Sequence, residues 1–456
     1  RLEYWISFLA ATSIGAVWLG LNPQYKLSEL RYVLEDARPK LLFAMAEFEG
    51  HSYAESIAAV QQDYGFIEQV VSLTDVLPNT QSLDDFLAQS EFVTDAALAD
   101  AQAAVKPMDP ALLVYTSGST GQPKGALLSH HGLCFGARVQ AQHYGLEQPK
   151  MLCNFPINHV ACVADTCCVN LVAGGTLVFQ ERFDPAQVLA AIHNQQINLL
   201  LAVPTMLLML LEHRQFKQTD FSGMAMIAWG GAPLPVPLIE QLQQLVPRLM
   251  NVYGLTETAA NTTYTSADAD IVELSETIGR PSPHMPCRIV NGDGENCAVG
   301  EEGELQFKGD YLLMEYLNRP EATKAVYTRD GWLHTGDLGY WREEGTITLV
   351  GRLSDMFKSG GYNVYPREIE NRLENHPNVE MAAVVAVPDS RYQEVGAAFV
   401  VLNAAQPVVD ARGLKDYCRD HLANYKIPKT ITIVPQLPTL PVGKVDKVAL
   451  KQIAIQ

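Results

Sequence analysis

Between residues 40 and 255 the chain repeats one pattern, a short apolar run followed by a helical stretch. Residues 40–44, 66–71, 111–115, 175–179, 198–202 and 224–228 read as strands. These runs lack in/out alternation, so each expects cover on both faces, as parallel strands have between layers of helices. Helix starts are written locally: Asp184 with Pro185 reads as an N-cap followed by proline at the first helical position. Ser28 plays a similar part before residues 29–37, and Pro204 splits the apolar stretch 197–211 into a strand and a helix. Residues 4–25 carry no charge, but Ser7, Thr12, Ser13, Asn22 and Pro23 interrupt them, so a buried core helix fits better than a membrane span. Arg1 is the one basic residue before Glu3, which argues against a signal peptide. The chain starts inside a helical pattern without a methionine and reads as truncated at its N-terminus.

After about residue 285 glycine-rich charged turns at 292–294, 300–303 and 343–345 punctuate short strands, which predicts a β-rich subdomain. Residues 351–366 are loop-like, and Pro366 opens a helix over 367–373. A compact α+β module follows, with strands near 381–387 and 397–401 and a helix over 410–422. The boundary falls near Ser354, dividing the chain into 1–353 and 354–456. Thirty-three basic against 51 acidic residues give a net charge of −18, which disfavours a nucleic-acid or anionic-membrane coat. The eight cysteines form no CxxC pair, so reduced thiols in a cytoplasmic protein are expected. His159, Cys162, Cys167 and Cys168 come nearest to a ligand cluster but lack zinc-site spacing, and buried thiols are the expected reading.

The densest chemistry lies in Tyr115-Thr116-Ser117-Gly118-Ser119-Thr120-Gly121-Gln122-Pro123-Lys124-Gly125, after a strand and before a helical segment beginning around Ser129. Glycines let backbone N–H groups approach anionic oxygens, hydroxyls donate hydrogen bonds, and an ammonium adds charge, which makes a phosphate cradle. A Walker A loop counted from Gly118 would need glycine and a hydroxyl where Pro123 and Gly125 stand. Further motifs follow in order: Pro156-Ile157-Asn158-His159-Val160, Gly230-Gly231-Ala232-Pro233, Asn251-Val252-Tyr253-Gly254-Leu255-Thr256-Glu257, Thr335-Gly336-Asp337, Gly351-Arg352, Ser359-Gly360-Gly361 and Gly443-Lys444.

With these motifs the chain resembles the adenylate-forming superfamily: acyl- and aryl-CoA synthetases, peptide-synthetase adenylation domains and firefly-type luciferases. The resemblance implies an α/β fold, with two αβα subdomains and a β-barrel in a large N-terminal part and a small mobile α+β C-terminal domain. By resemblance, Thr116, Ser117, Gly118, Ser119, Thr120, Gly121 and Lys124 hold phosphate, and Gly231, Ala232 and Pro233 lie against adenine. Tyr253 would stack on the base with Asn251 near its amino edge, Thr256 would touch the α-phosphate, and Glu257 would hold Mg²⁺. Asp337 and Arg352 would contact ribose, and Lys444 would be the catalytic lysine, with Lys447 a solvated neighbour. Ser359, Gly360 and Gly361 would line the pantetheine path. His159, Val160, Trp229, Gly230 and Gly254 would border the acyl pocket, Trp229 limiting its depth. Ser354 stands at the hinge, where the family usually has aspartate or lysine.

The implied reaction is adenylation of a fatty or aryl acid with release of pyrophosphate, then acyl transfer to CoA. Partners are the acid, ATP and CoA, with Mg²⁺ as cofactor; a homodimer is admitted and nucleic acid is not expected. Carrier-protein pantetheine and luciferase-like oxidation are the alternative fates of the adenylate. His159 instead of aspartate, and the absence of a carrier domain before Gln456, weigh against the peptide-synthetase alternative.

Overall fold

Five parallel strands, Thr176–Phe179, Lys150–Cys153, Leu199–Ala202, Met226–Gly230 and Leu249–Leu255, lie side by side in that order in a computed structural model. The model describes residues 1–116, 123–403, 409–440 and 444–455. Two antiparallel strands, Ala260–Tyr264 and Arg280–Pro281, extend this sheet. All four residues of Leu199–Ala202 are buried, as a strand covered on both faces requires. Asp184 caps the helix Pro185–Gln195 by accepting from Gln187 N at 2.9 Å.

A second sheet orders Trp18–Leu19, Pro110–Thr116, Lys124–Ser129 and Glu315–Tyr316. The glycine-rich loop therefore joins two antiparallel strands, Thr116 paired with Lys124, and not a strand to a helix as the sequence suggested. The helix begins only at His130, where Ser129 caps it by accepting from Gly132 N. The expected helix over 4–25 is shorter: it spans Leu2–Ser13, and the chain turns at Gly15 (φ +81°) into a strand. Ser28 is not a cap either. The helix Leu27–Ala37 starts after Lys26, whose N–H donates to Glu29 Oε2 at 2.8 Å.

The β-rich segment is a four-stranded antiparallel sheet of Cys287–Val290, Gly303–Phe307, Leu333–Trp341 and Ile347–Arg352. Beyond it, Phe357, Val364, Ile369, Leu373, Val384, Val400, Leu414 and Cys418 bury one another as a separate core. That core lies beneath the long antiparallel pair Val379–Asp389 and Gln393–Leu402, with the helices Pro366–Glu374 and Ala411–His421 packed on it. Among the described residues no helix is long and apolar enough to cross a membrane.

Candidate functional site

Strand ends of three sheets converge on one cleft. Met226–Gly230 runs out into Gly230-Gly231, and no side chain fits at Gly230, whose Cβ would stand 2.7 Å from Val252 O. Gly231 has φ +86°, open to glycine and strained for other residues. Its neighbour strand carries Asn251, Tyr253 and Gly254, and a Cβ on Gly254 would meet Ala260 O at 2.4 Å. The next turn, Thr256–Thr258, presents Glu257. Asp337 arrives from the antiparallel sheet, cross-paired with Arg352.

The polar groups are already tied together. Tyr253 Oη donates to Asp337 Oδ2 at 2.6 Å, and Arg352 Nε meets Asp337 Oδ1 at 2.8 Å. Asp337 is 4% exposed, so its carboxylate is held at a fixed position by two donors. The Asn251 amide donates to Thr277 O at 2.8 Å, an anchor inside the sheet. Tyr316 Oη donates to Glu257 Oε1 at 2.7 Å, while the Lys124 ammonium lies 5.1 Å from the Tyr316 ring centre. Lys124 and Glu257 thus flank one tyrosine at the mouth of the glycine-rich hairpin. Thr116 closes the first strand of that hairpin, and residues 117–121, read as its phosphate cradle, lie outside the described residues.

Lys444 comes from the far end of the chain. Its backbone is held by Leu440 N donating to Lys444 O at 2.7 Å, and its Cε lies 3.4 Å from where a Cβ on Gly231 would stand. Burial lowers its pKa, Arg352 lowers it further, and Asp337 and Glu257 oppose them. The C-terminal lysine therefore lies among Gly231, Arg352, Asp337 and Glu257, all from the N-terminal part. His159 faces the same place: burial, and secondarily Lys444, push its pKa down to about 4. His159 Nδ1 accepts from Ala161 N at 3.1 Å, so the proton of the neutral ring sits on Nε2.

Other positions go elsewhere. Trp229 does not reach the cleft: it is 1% exposed and packs with Leu152, Leu200 and Ile227 on the strand face opposite Gly230. Val160 is buried against Cys153, Cys162 and Val163. Lys447 is no solvated lysine, because it binds Glu370 Oε1 at 2.8 Å, and Glu370 is only 3% exposed. His159 and Cys168 do not join the tight sulfur cluster; Cys153, Cys162 and Cys167 form it, with the Tyr4 hydroxyl 2.9 Å from Cys162 and 3.0 Å from Cys167. Cys153 joins from the end of the strand Lys150–Cys153 and Tyr4 from a helix 149 residues earlier in the chain, contacts that ligand spacing along the sequence does not reveal.

Gly360 and Gly361 form the two-residue turn between Phe357–Ser359 and Tyr362–Val364, with φ +58° and +89°. Positive φ at both central positions is the twist-compatible hairpin that glycine favours. Ser359 is buried, and Gly360 N donates to Tyr392 O at 2.9 Å. Ser354 is exposed in the turn after Arg352, its hydroxyl 3.2 Å from Asp355 Oδ1.

This arrangement has close relatives. The model of AMP-binding enzymes matches residues 1–317, and that of their C-terminal domain matches 368–444. Feruloyl-CoA synthase from Amycolatopsis sp is 34% identical over 97% of this chain and 85% of its own. Indoleacetate–CoA ligase from Aromatoleum aromaticum is 33% identical over 99% and 86%. The ATP-bound crystal structure of MatB from Rhodopseudomonas palustris superposes with a TM-score of 0.84 at 28% identity, over 99% of this chain and 86% of that one. With both family models matched in order along one chain, this protein belongs to the AMP-binding enzymes, in their acid:CoA ligase branch.

Proposed function

We propose that the chain converts a carboxylic acid and ATP to acyl-AMP and pyrophosphate at this cleft, then passes the acyl group to the thiol of CoA. The observation that carries the reading is Lys444, delivered by the C-terminal module to the Gly231 turn beside Asp337, Arg352 and Glu257. A carboxylate must approach an anionic α-phosphate to about 3 Å, where unit charges repel by ~5 kcal/mol at an effective dielectric near 20. An ammonium touching both partners reverses the sign of that term as the new P–O bond forms.

In this reading Thr116, Lys124 and residues 117–121 cradle the outer phosphates, and Thr256 contacts the α-phosphate. Adenine lies between Tyr253 and the Gly231-Ala232-Pro233 turn, with Asn251 at its edge, and Asp337 with Arg352 takes the ribose hydroxyls. Asp337 now accepts from Tyr253, and its carboxylate exchanges one partner for a ribose hydroxyl when nucleotide enters. His159, neutral with its proton on Nε2, donates toward the reacting carboxylate without adding charge. Gly230 and Gly254 stand behind it at the acyl site.

The donor set also fits Mg²⁺. Glu257 offers a hard oxygen, its Oε1 is oriented by Tyr316, and Mg²⁺ commonly takes one carboxylate with nucleotide phosphates and water. When bound it would supply charge neutralisation at the phosphates. For the second half-reaction we assign the Ser359-Gly360-Gly361 hairpin to the pantetheine arm and Ser354 to the hinge between 1–353 and 354–456, because backbone freedom sits at the turn and shallow relief at the glycines. Eight free thiols support a reducing, cytoplasmic setting.

The test is carboxylate-dependent ATP–pyrophosphate exchange over a panel of aryl, cyclic and aliphatic acids, followed by CoA addition. Exchange with thioester formation is expected; exchange without thioester would reassign the acceptor, and no exchange would end the adenylation reading.

A further inference from the structure

Three buried thiols take no part in that chemistry. Cys153 closes the strand Lys150–Cys153, and Cys162 and Cys167 belong to the π-helix Ala161–Cys168. Cys153 Sγ lies 3.6 Å from each of the other two sulfurs, and all three lie within 4.8 Å of one another. The helix type makes the meeting possible. Side chains five apart on an α-helix point about 140° away from each other. A π-turn closes i to i+5 instead, and so stacks Cys162 and Cys167 on one face. Tyr4, on the helix Leu2–Ser13, holds its hydroxyl against all three sulfurs, 2.9 Å from Cys162, 3.0 Å from Cys167 and 3.7 Å from Cys153. The three cysteines are at most 2% exposed, and a cavity of about 680 Å³ has Tyr4 and Cys153 in its wall, which gives an ion a way in.

We propose that Cys153, Cys162 and Cys167 bind one Zn²⁺, with the Tyr4 hydroxyl oxygen as the fourth donor, in a structural site that fastens the N-terminal helix to the π-helix. Softness selects the ion: among the described residues the cluster joins three sulfurs and no carboxylate or imidazole, a set that suits Zn²⁺ and not Mg²⁺. Geometry agrees. Sulfurs 3.6 Å apart subtend about 103° at an ion held ~2.3 Å from each, close to the tetrahedral angle. Binding releases three thiol protons to solvent and leaves the phenol protonated, so the loaded site carries one net negative charge. No electron moves. The ion would join three elements that the chain reaches far apart: the helix Leu2–Ser13, the strand Lys150–Cys153 and the helix that starts two residues past His159. The site uses none of the residues assigned to the cleft, so it stands or falls apart from the ligase reading.

The experiment loads the reduced, intact protein with Zn²⁺ or Co²⁺, removes free metal by gel filtration, and measures bound metal by elemental mass spectrometry together with the Co²⁺ absorption spectrum. One metal per chain is expected, with thiolate-to-cobalt charge-transfer bands and the intense visible bands of a tetrahedral site. Zinc at about 100 times its Kd should raise the thermal midpoint by roughly 5 °C. Replacing both helix thiols, Cys162→Ser with Cys167→Ser, should abolish the bound metal, the charge-transfer bands and the thermal shift. Tyr4→Phe should weaken binding at least about tenfold, and Cys168→Ser, outside the cluster, should leave it unchanged. Stoichiometry and spectrum of the intact protein carry the test where a variant fails to fold. No retained metal, a cobalt spectrum without thiolate bands, or a disulfide between Cys153 and Cys162 in place of the metal would overturn the proposal, as would metal retained unchanged by the folded double variant.

Discussion

At Lys444 one side chain carries two opposed demands. It must stay charged to join two anions, yet burial and Arg352 both lower its pKa. Lys444→Ala should therefore cut exchange by about 10²–10³ while sparing thioester formation from supplied acyl-AMP. Equal losses in both half-reactions would deny the lysine its role. Because the charged form is the disfavoured one, the basic limb of the exchange profile should fall below the ordinary lysine range, and a pH titration locates it. His159 carries the opposite pH signature. Its folded pKa of about 4 lies below the ordinary 6.5, so the unfolded chain binds a proton that the folded chain refuses. Stability present above pH 6.5 is then lost as pH falls toward 4, by roughly 3 kcal/mol for this group alone. His159→Asn should flatten that part of the curve, as denaturant midpoints at pH 7 and 4.5 would show.

Elements differ in how much of their placement is local. The Asp184–Pro185 start is legible because its hydrogen bond closes within four residues, from Asp184 to Gln187 N. Ser28 misled because Glu29, a residue later, reaches back to Lys26 N and sets the start two residues earlier, at Leu27. Trp229 and Gly230 are adjacent, yet strand alternation sends them to opposite faces, and only the neighbouring strands show which face is the cleft. The Gly360-Gly361 hairpin, by contrast, is written in its glycines. Gly360→Val at φ +58° would strain the turn and fill the space beside Tyr392, where a Cβ already approaches Cδ1 to 3.2 Å. If this hairpin guides pantetheine, exchange should survive and CoA transfer should drop by roughly tenfold or more; a normal transfer rate removes that assignment. Lys447 belongs to the same module. Lys447→Met would leave Glu370 with Arg367 at 3.3 Å and the Val384 N–H at 2.8 Å, and should cost about 1–3 kcal/mol in chemical denaturation, less than a full buried-pair loss because Lys447 is one-third exposed.

On the scale of the whole molecule, one cleft draws on residues from 116 to 444. Lys447 also lies 3.5 Å from Asp355, beside Ser354, so the lysine-bearing end of the chain touches the turn on which the module would rotate. Ser354→Pro should stiffen that turn, leaving exchange within about threefold and slowing thioester formation roughly tenfold; stopped-flow measurement of the two half-reactions separates them. The α/β alternation, the glycine turns and the ordered motifs followed from the sequence alone, because periodicity, capping and φ preferences act over a few residues. Which face of a strand met the cleft, and that Lys447 pairs with a buried carboxylate, were decided only by the tertiary structure. Those outcomes depend on which distant surfaces exclude water from a polar atom, and spacing along the chain carries no record of that.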